Sequence, residues 1–178
     1  QGDLPFYWVQ LANYESPRGP ENSWAFLREA QDRTLALPNT GQALAIDLGN
    51  PANIHPTNKR EVGRRLALIA LAKNYGQPVE FSGPRFQGFK IEGDSVRVTL
   101  SHADGLNART EPPQSFELAG VDKKFVSAAV RIEGETLMVS APGLAHPVAV
   151  RYAWRNNPAA NVYNGAGLPL APFRSDSW

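Results

Sequence analysis

Only three histidines occur in the 178 residues, His55, His102 and His146, and His55 is placed where acid–base chemistry could be done. It follows an apolar, strand-like run over residues 43–48 by a short loop, and a helical pattern begins just after it at Asn58. Ligands of open α/β sheets gather at the carboxyl ends of strands. A helix N-terminus, here announced by Pro56 and Asn58, disfavours an imidazolium, so the ring is expected to be neutral, as a general base must be. A lone histidine that merely hydrogen-bonds its loop would also satisfy these observations. Asp47 closes the apolar run, where a carboxylate is costly unless it is paired or hydrogen-bonded. It could orient His55, brace the loop, or simply cap it. His102, beside Asp104 and Gly105, and His146, before Pro147, read as polar loop residues without a role.

Other chemistries are poorly served. The histidines lack a metal-ligand spacing such as H-E-x-x-H, so neither a metal nor another cofactor is expected. With no cysteine there is no disulfide, no thiolate nucleophile and no Cys-bound zinc. A formal net charge of +1 without a basic run argues against a nucleic-acid partner. No apolar stretch is long enough to span a bilayer, so no membrane contact is expected. None of the ten serines sits in G-x-S-x-G, and Ser82-Gly83 follows a helix, the reverse of a nucleophile elbow. No Gly-rich phosphate loop occurs either.

The elements that would position His55 lie in the first half. Residues 4–12 form a near-continuous apolar run, the mark of a strand buried on both faces of a parallel sheet. A helix fits residues 23–37, capped by Asn22 or Ser23 and stopped by Pro38. The stretch from Asn58 to Tyr75 is the clearest helix. Asn58 and Glu61 have capping-box spacing, Glu61 and Arg65 form an i,i+4 pair, and Gly76 is a C-cap. This is the α/β pattern, but two strands are too few for a stable parallel sheet, so further strands are expected from an upstream segment. After Gly83-Pro84 short strand signals take over. Residues 90–91 and 96–100 flank a turn at Glu92-Gly93-Asp94, and residues 116–118, 125–130, 136–139 and 148–154 follow, as an antiparallel sheet or sandwich. Residues 156–178 read as coil packed on the surface.

Together these residues resemble one family. DLGNPANIHPTNKREVGRRLAL over residues 47–68 is similar to a stretch of sialate O-acetylesterase-like proteins, which are SGNH-type hydrolases acting on acetylated sugars. PFYWVQLA from Pro5, SWAFLREAQ from Ser23, VRYAWRNNP from Val150, and the short stretches at Tyr163, Gly167 and Pro172 extend the likeness, in order, over nearly the whole chain. The resemblance implies the C-terminal part of an SGNH-hydrolase-like three-layer α/β/α domain over residues 1–80. An antiparallel, β-rich accessory domain with a coil tail follows over residues 81–178.

It also implies a serine-type carbohydrate O-acetylesterase acting on sialic acid or xylan-type glycans, with His55 as the catalytic histidine. The family's serine, in G-Q-S-N, and its oxyanion asparagine, in G-E-S-N, belong upstream, and neither motif occurs here. The implied partners are therefore an upstream fragment carrying the serine nucleophile and an acetylated carbohydrate. The family commonly has Asp two residues before the histidine, whereas this chain has Asn53, so Asp47, a backbone carbonyl or no third group at all is left to orient the ring. Arg151, Trp154, Asn157 and Tyr163 could line the sugar site, with Trp154 better suited to packing. The other reading is a non-catalytic carbohydrate-binding or structural module. The chain's start carries no signal-peptide pattern, and the resemblance favours a secreted or periplasmic setting.

Overall fold

The computed structural model describes residues 4–16 and 19–178. The chain divides into two compact units. The first runs to Ser82 and also contains Arg155–Asn157, and the second comprises Gly83–Trp154 and Pro158–Trp178.

The first unit is built on two parallel strands, β1 (Phe6–Val9) and β2 (Thr40–Ala43), paired from Phe6↔Thr40 to Val9↔Ala43. Helix α1 (Ser23–Arg33) leads into a short 3-10 turn, Thr34–Ala36, and helix α2 (Lys59–Lys73) follows β2. Tyr7 and Ile69 close on the backbone of Gly41, where an added Cβ would lie 2.5 Å from Ile69 and 2.8 Å from Tyr7. This close approach is how α2 seats on the sheet. On the alternate β1 positions, Trp8 Nε1 donates to Gln42 Oε1 at 2.8 Å, and Gln42 in turn donates to Asp32 of α1 at 3.0 Å. The two faces therefore carry different helices, as strand periodicity dictates.

Two expectations need correction. β1 is not buried on both faces, since Leu4 is 85% and Phe6 64% exposed. The second strand lies at Thr40–Ala43 rather than 43–48. The ladder stops at Ala43, while residues 44–46 continue as buried chain and turn at Leu48 N–H to Ala45 O, 3.0 Å.

Helix α1 shows how much a remote segment contributes. Asn22 makes no side-chain cap. The cap comes from Asn156, whose Oδ1 accepts from Trp24 N at 2.8 Å and from the Ser23 hydroxyl at 3.4 Å. Arg28, fully buried, donates to Leu11 O, Ala12 O, Arg155 O and Asn156 O at 2.7–2.9 Å. Its contacts thus include four backbone carbonyls, and burial draws its pKa down to about 10.

The second unit is all-β. One four-stranded antiparallel sheet has the order β3 (Arg85–Glu92), β4 (Ser95–Ser101), β9 (Thr136–Ser140), β8 (Ala129–Glu133). The other has the order β12 (Phe173–Arg174), β10 (Ala149–Tyr152), β6 (Phe116–Ala119), β7 (Phe125–Ser127). A short pair joins β5 (Asn107–Ala108) to β11 (Val162–Tyr163). Val96, Val98, Leu137 and Val139 of the first sheet and Leu118, Val150 and Tyr152 of the second are fully buried. The sheets meet where Phe86 stacks on Phe173, with ring centroids 4.5 Å apart.

The run expected as one strand over 125–130 is two. The chain leaves β6 at Ser127 and joins β9 at Ala129, with Ala128 N–H bonded to Phe116 O. The tail is likewise not a surface coil. Leu168, Leu170 and Phe173 are buried, and β12 completes the second sheet.

Replacing Arg28 with Met would leave buried carbonyls without donors, each costing on the order of 1–3 kcal/mol. The substitution is expected to lower stability by about 3 kcal/mol or more, read as a fall in the urea midpoint. A midpoint within error of the wild type would contradict the clamp.

Candidate active site

Both strands of the first unit end on the same side, so the segments that follow Val9 and Ala43 leave from one end of the sheet. His55 lies on the second of these. The loop holding it is braced at both ends. At its start, Asp47 is almost fully buried against Arg65, with side chains 4% and 2% exposed. Arg65 Nη1 and Nη2 donate to the two Asp47 oxygens at 2.6 and 2.7 Å, and Nη1 also donates to Leu44 O at 2.8 Å. Burial works against the Arg65 charge, but the hydrogen bonds and charges of Asp47 and Glu61 outweigh it and hold its pKa above the usual range. At the loop's end, Asn58 Oδ1 accepts from Glu61 N at 3.1 Å and caps α2. The Glu61 carboxylate does not complete a reciprocal box and instead accepts from Arg64 and Arg65 at 2.7–2.9 Å.

Between these anchors the loop folds on itself. Asn50 Oδ1 accepts from Ala52 N at 2.8 Å, and Asn50 and Asn53 form an antiparallel bridge. Gly49 lies so close to Asn13 that an added Cβ would come within 1.9 Å of Asn13 O. Its N–H donates to Asn13 Oδ1 at 2.8 Å, and Glu15 N donates to Pro51 O at 3.1 Å.

The His55 ring is exposed. Asn53 Oδ1 accepts from the His55 backbone N at 2.9 Å and lies 3.1 Å from ring Nδ1. Since that amide atom already accepts a backbone N–H, it is the oxygen, and Nδ1 must be the protonated nitrogen. Nε2 then carries a lone pair, and none of the described residues hydrogen-bonds it. This is the tautomer in which a histidine can take a proton from an alcohol.

The other sequence candidates are redistributed. Asp47 does not emerge as the orienter of His55, because its two oxygens are taken by Arg65, a residue whose role the i,i+4 pattern with Glu61 only half disclosed. Arg151 and Tyr163, expected from the resemblance as substrate-binding residues, both lie in the second unit and make internal ties there. Arg151 pairs with Asp176 through two bonds of 2.7 Å and covers the Phe125 ring at 3.7 Å. Tyr163 is 4% exposed with the Arg109 guanidinium 3.7 Å over its ring. Trp154 is buried. Asn157 alone of this set belongs to the first unit, where Asn13 Nδ2 donates to its Oδ1 at 2.8 Å. Among the described residues no cluster of three or more His, Asp or Glu gathers as a metal site.

Comparisons agree with this frame. No family model matches the chain. Mouse sialate O-acetylesterase is 28% identical over 191 aligned residues, covering 96% of this chain and 35% of its own length. The human protein of the same name is 26% identical, with 36% of its length covered. A solved carbohydrate acetylesterase from Xanthomonas citri superposes with a TM-score of 0.92 at 45% identity, over 98% of this chain and 41% of that one. The chain is similar to the sialate O-acetylesterase-like family over nearly its whole length. It spans about a third of the length of the curated sialate O-acetylesterases it matches.

The electrostatics of the loop anchor have a measurable consequence. The hydrogen bond from Arg64 lowers the Glu61 pKa, burial opposes it, and Arg65 adds to the lowering, to about 2 from 4.5. A depressed folded pKa gives stability that is present above the unfolded value and lost as pH falls through the folded one. The advantage of wild type over Glu61→Gln should therefore shrink between about pH 4.5 and 2, followed by thermal unfolding across that range. A difference between the two proteins that does not change with pH would contradict this.

Proposed function

We propose that this chain supplies the catalytic histidine of a serine-type carbohydrate O-acetylesterase, and that the serine nucleophile comes from an upstream segment of the same esterase. The observation that carries the reading is the His55 ring, with Nδ1 tied to Asn53 and the Nε2 lone pair unengaged on a doubly anchored loop. Nε2 would take the serine Oγ proton as that oxygen attacks the acetyl carbonyl. The resulting imidazolium would return the proton to the sugar oxygen as the C–O bond breaks. Water, deprotonated by the same nitrogen, would then release acetate from the acyl-serine. No cofactor is needed.

Two features support a completing segment. The amides of Phe6 and Gln10 bond to β2, so those of Tyr7 and Val9 face the opposite edge, where no strand pairs among the described residues. Parallel sheets occur almost only as buried, multi-stranded layers. In addition, Gln10 is 2% exposed, yet its Oε1 has no donor, while its Nε2 donates to Arg28 O at 3.3 Å. A donor from the added segment would satisfy it. This setting would be secreted or periplasmic, as in the family resemblance.

Two experiments test the reading. Hydrolysis of p-nitrophenyl acetate is expected only when the upstream segment is added, and His55→Ala in that complex should lower the rate on the order of 10³-fold or more. Turnover by the 178-residue chain alone, or an unchanged rate in the variant, overturns it. Asn53 orients the ring but adds no charge to stabilise the imidazolium. Asn53→Asp keeps the geometry and adds that charge, and should raise kcat/KM about tenfold, equivalent to about 1.4 kcal/mol. A rate that stays level or drops would remove Asn53 from the mechanism.

A further inference from the structure

The segment that leaves β1 emerges at the same end of the sheet as the His55 loop and is bonded to it directly, through Asn13 Oδ1 to Gly49 N at 2.8 Å and Glu15 N to Pro51 O at 3.1 Å. It carries a residue that nothing so far has used. Tyr14 is half-buried, its ring is tilted 40° to that of Trp24 at 5.1 Å, and its hydroxyl bonds to none of the described residues. Its backbone is held by a bond from Tyr14 N to Asn156 O at 3.2 Å.

The groups on either side are polar and already positioned. Asn13 Nδ2 donates to Asn157 Oδ1 at 2.8 Å, and Asn157 Nδ2 donates to Glu15 Oε2 at 3.3 Å. Asn156 is locked in turn by Glu21 O, Pro20 O and the Arg28 clamp. A half-buried aromatic ring with a polar tip, braced on Trp24 and carried on a segment whose flanking residues hold a carboxylate and two carboxamides in place, has the composition that binds a pyranose. The ring covers the apolar C–H face of the sugar, and the amides and carboxylate take its hydroxyls. Because the neighbours are fixed before the ligand arrives, little ordering cost is added on binding.

We infer that Tyr14, with Asn13, Glu15 and Asn157 around it, forms the subsite that holds the sugar ring of the acetylated substrate beside His55. This rests on the esterase reading for the identity of the ligand, and on the geometry alone for its place. The shared chemistry is a pyranose ring, either neutral, as in a xylan-type glycan, or anionic, as in a sialic acid.

The test titrates the 178-residue chain with methyl β-D-xylopyranoside and, separately, with the methyl glycoside of N-acetylneuraminic acid, followed by amide chemical shifts. At least one glycoside should bind, with shifts concentrated on residues 13–16, the side-chain amides of Asn13 and Asn157, and residues 49–52. The arm that binds tells the neutral source from the anionic one. Tyr14→Ala should weaken that binding about fivefold or more, and Tyr14→Phe should restore most of it. Shifts centred elsewhere, binding by neither glycoside, or an unchanged affinity in Tyr14→Ala overturns the subsite. The shift map in the wild type decides the matter even if Tyr14→Ala fails to fold. Hydrolysis of p-nitrophenyl acetate by the completed enzyme needs no sugar ring, so it reports separately on the esterase reading.

Discussion

The guanidinium of Arg65 is the constraint on which the rest of the site depends. It is buried on α2 and joins three points of the chain, the carbonyl of Leu44, the carboxylate of Asp47 and the carboxylate of Glu61. Those points are the end of β2, the beginning of the His55 loop and the first turn of the helix that follows. A buried ion pair of this kind is weak evidence for net stability, because desolvation offsets much of the attraction. Removing one partner, however, strands the other charge and costs on the order of 3–5 kcal/mol. The pair therefore acts as a geometric lock. With both loop ends fixed, the intervening residues can hold His55 in one orientation by local bonds alone.

Asn53 makes the last of those bonds, and it separates two tasks that a carboxylate would combine. Its carbonyl oxygen selects the ring tautomer by accepting from Nδ1 while also accepting the His55 backbone N–H. It brings no full charge to a developing imidazolium. The carboxylates that flank it in the sequence are engaged elsewhere, Asp47 with Arg65 and Glu61 with Arg64 and Arg65. This arrangement gives a histidine that is well oriented but supported only by a dipole.

The short return of residues 155–157 into the first unit plays a comparable role for the segment after β1. Asn156 caps α1 where the helix has no cap of its own, and Arg28 gathers carbonyls from both segments. Asn157 continues the chain of amides through Asn13 to Gly49. Residues more than 100 positions apart thus fix the wall beside the histidine. The stiffness of that wall comes from hydrogen bonds to backbone rather than from apolar packing.

Much of this was legible in the residues themselves. The helix from Lys59 was written in its cap at Asn58 and its Glu61–Arg65 spacing, because both interactions are local and need only helical geometry. The parallel pairing of the first two strands followed from strand–helix–strand order. The His55 stretch stood out through its residues and their family likeness. Other features were not legible because they depend on partners distant in the chain. Local rules placed a cap at Asn22 or Ser23, whereas the acceptor is Asn156. An apolar run over 125–130 looked like one strand, since alternation cannot show that a chain changes sheets at Ala128. The tail's composition resembled surface coil, yet its apolar residues fill the second unit's core. Asp47 could be recognised from sequence as a carboxylate that needed a partner, but only the tertiary structure decided that the partner was Arg65 and left the imidazole to Asn53. The physical reason is that a buried charge must be met by whichever opposite charge the fold brings within about 3 Å, and sequence spacing does not set that distance.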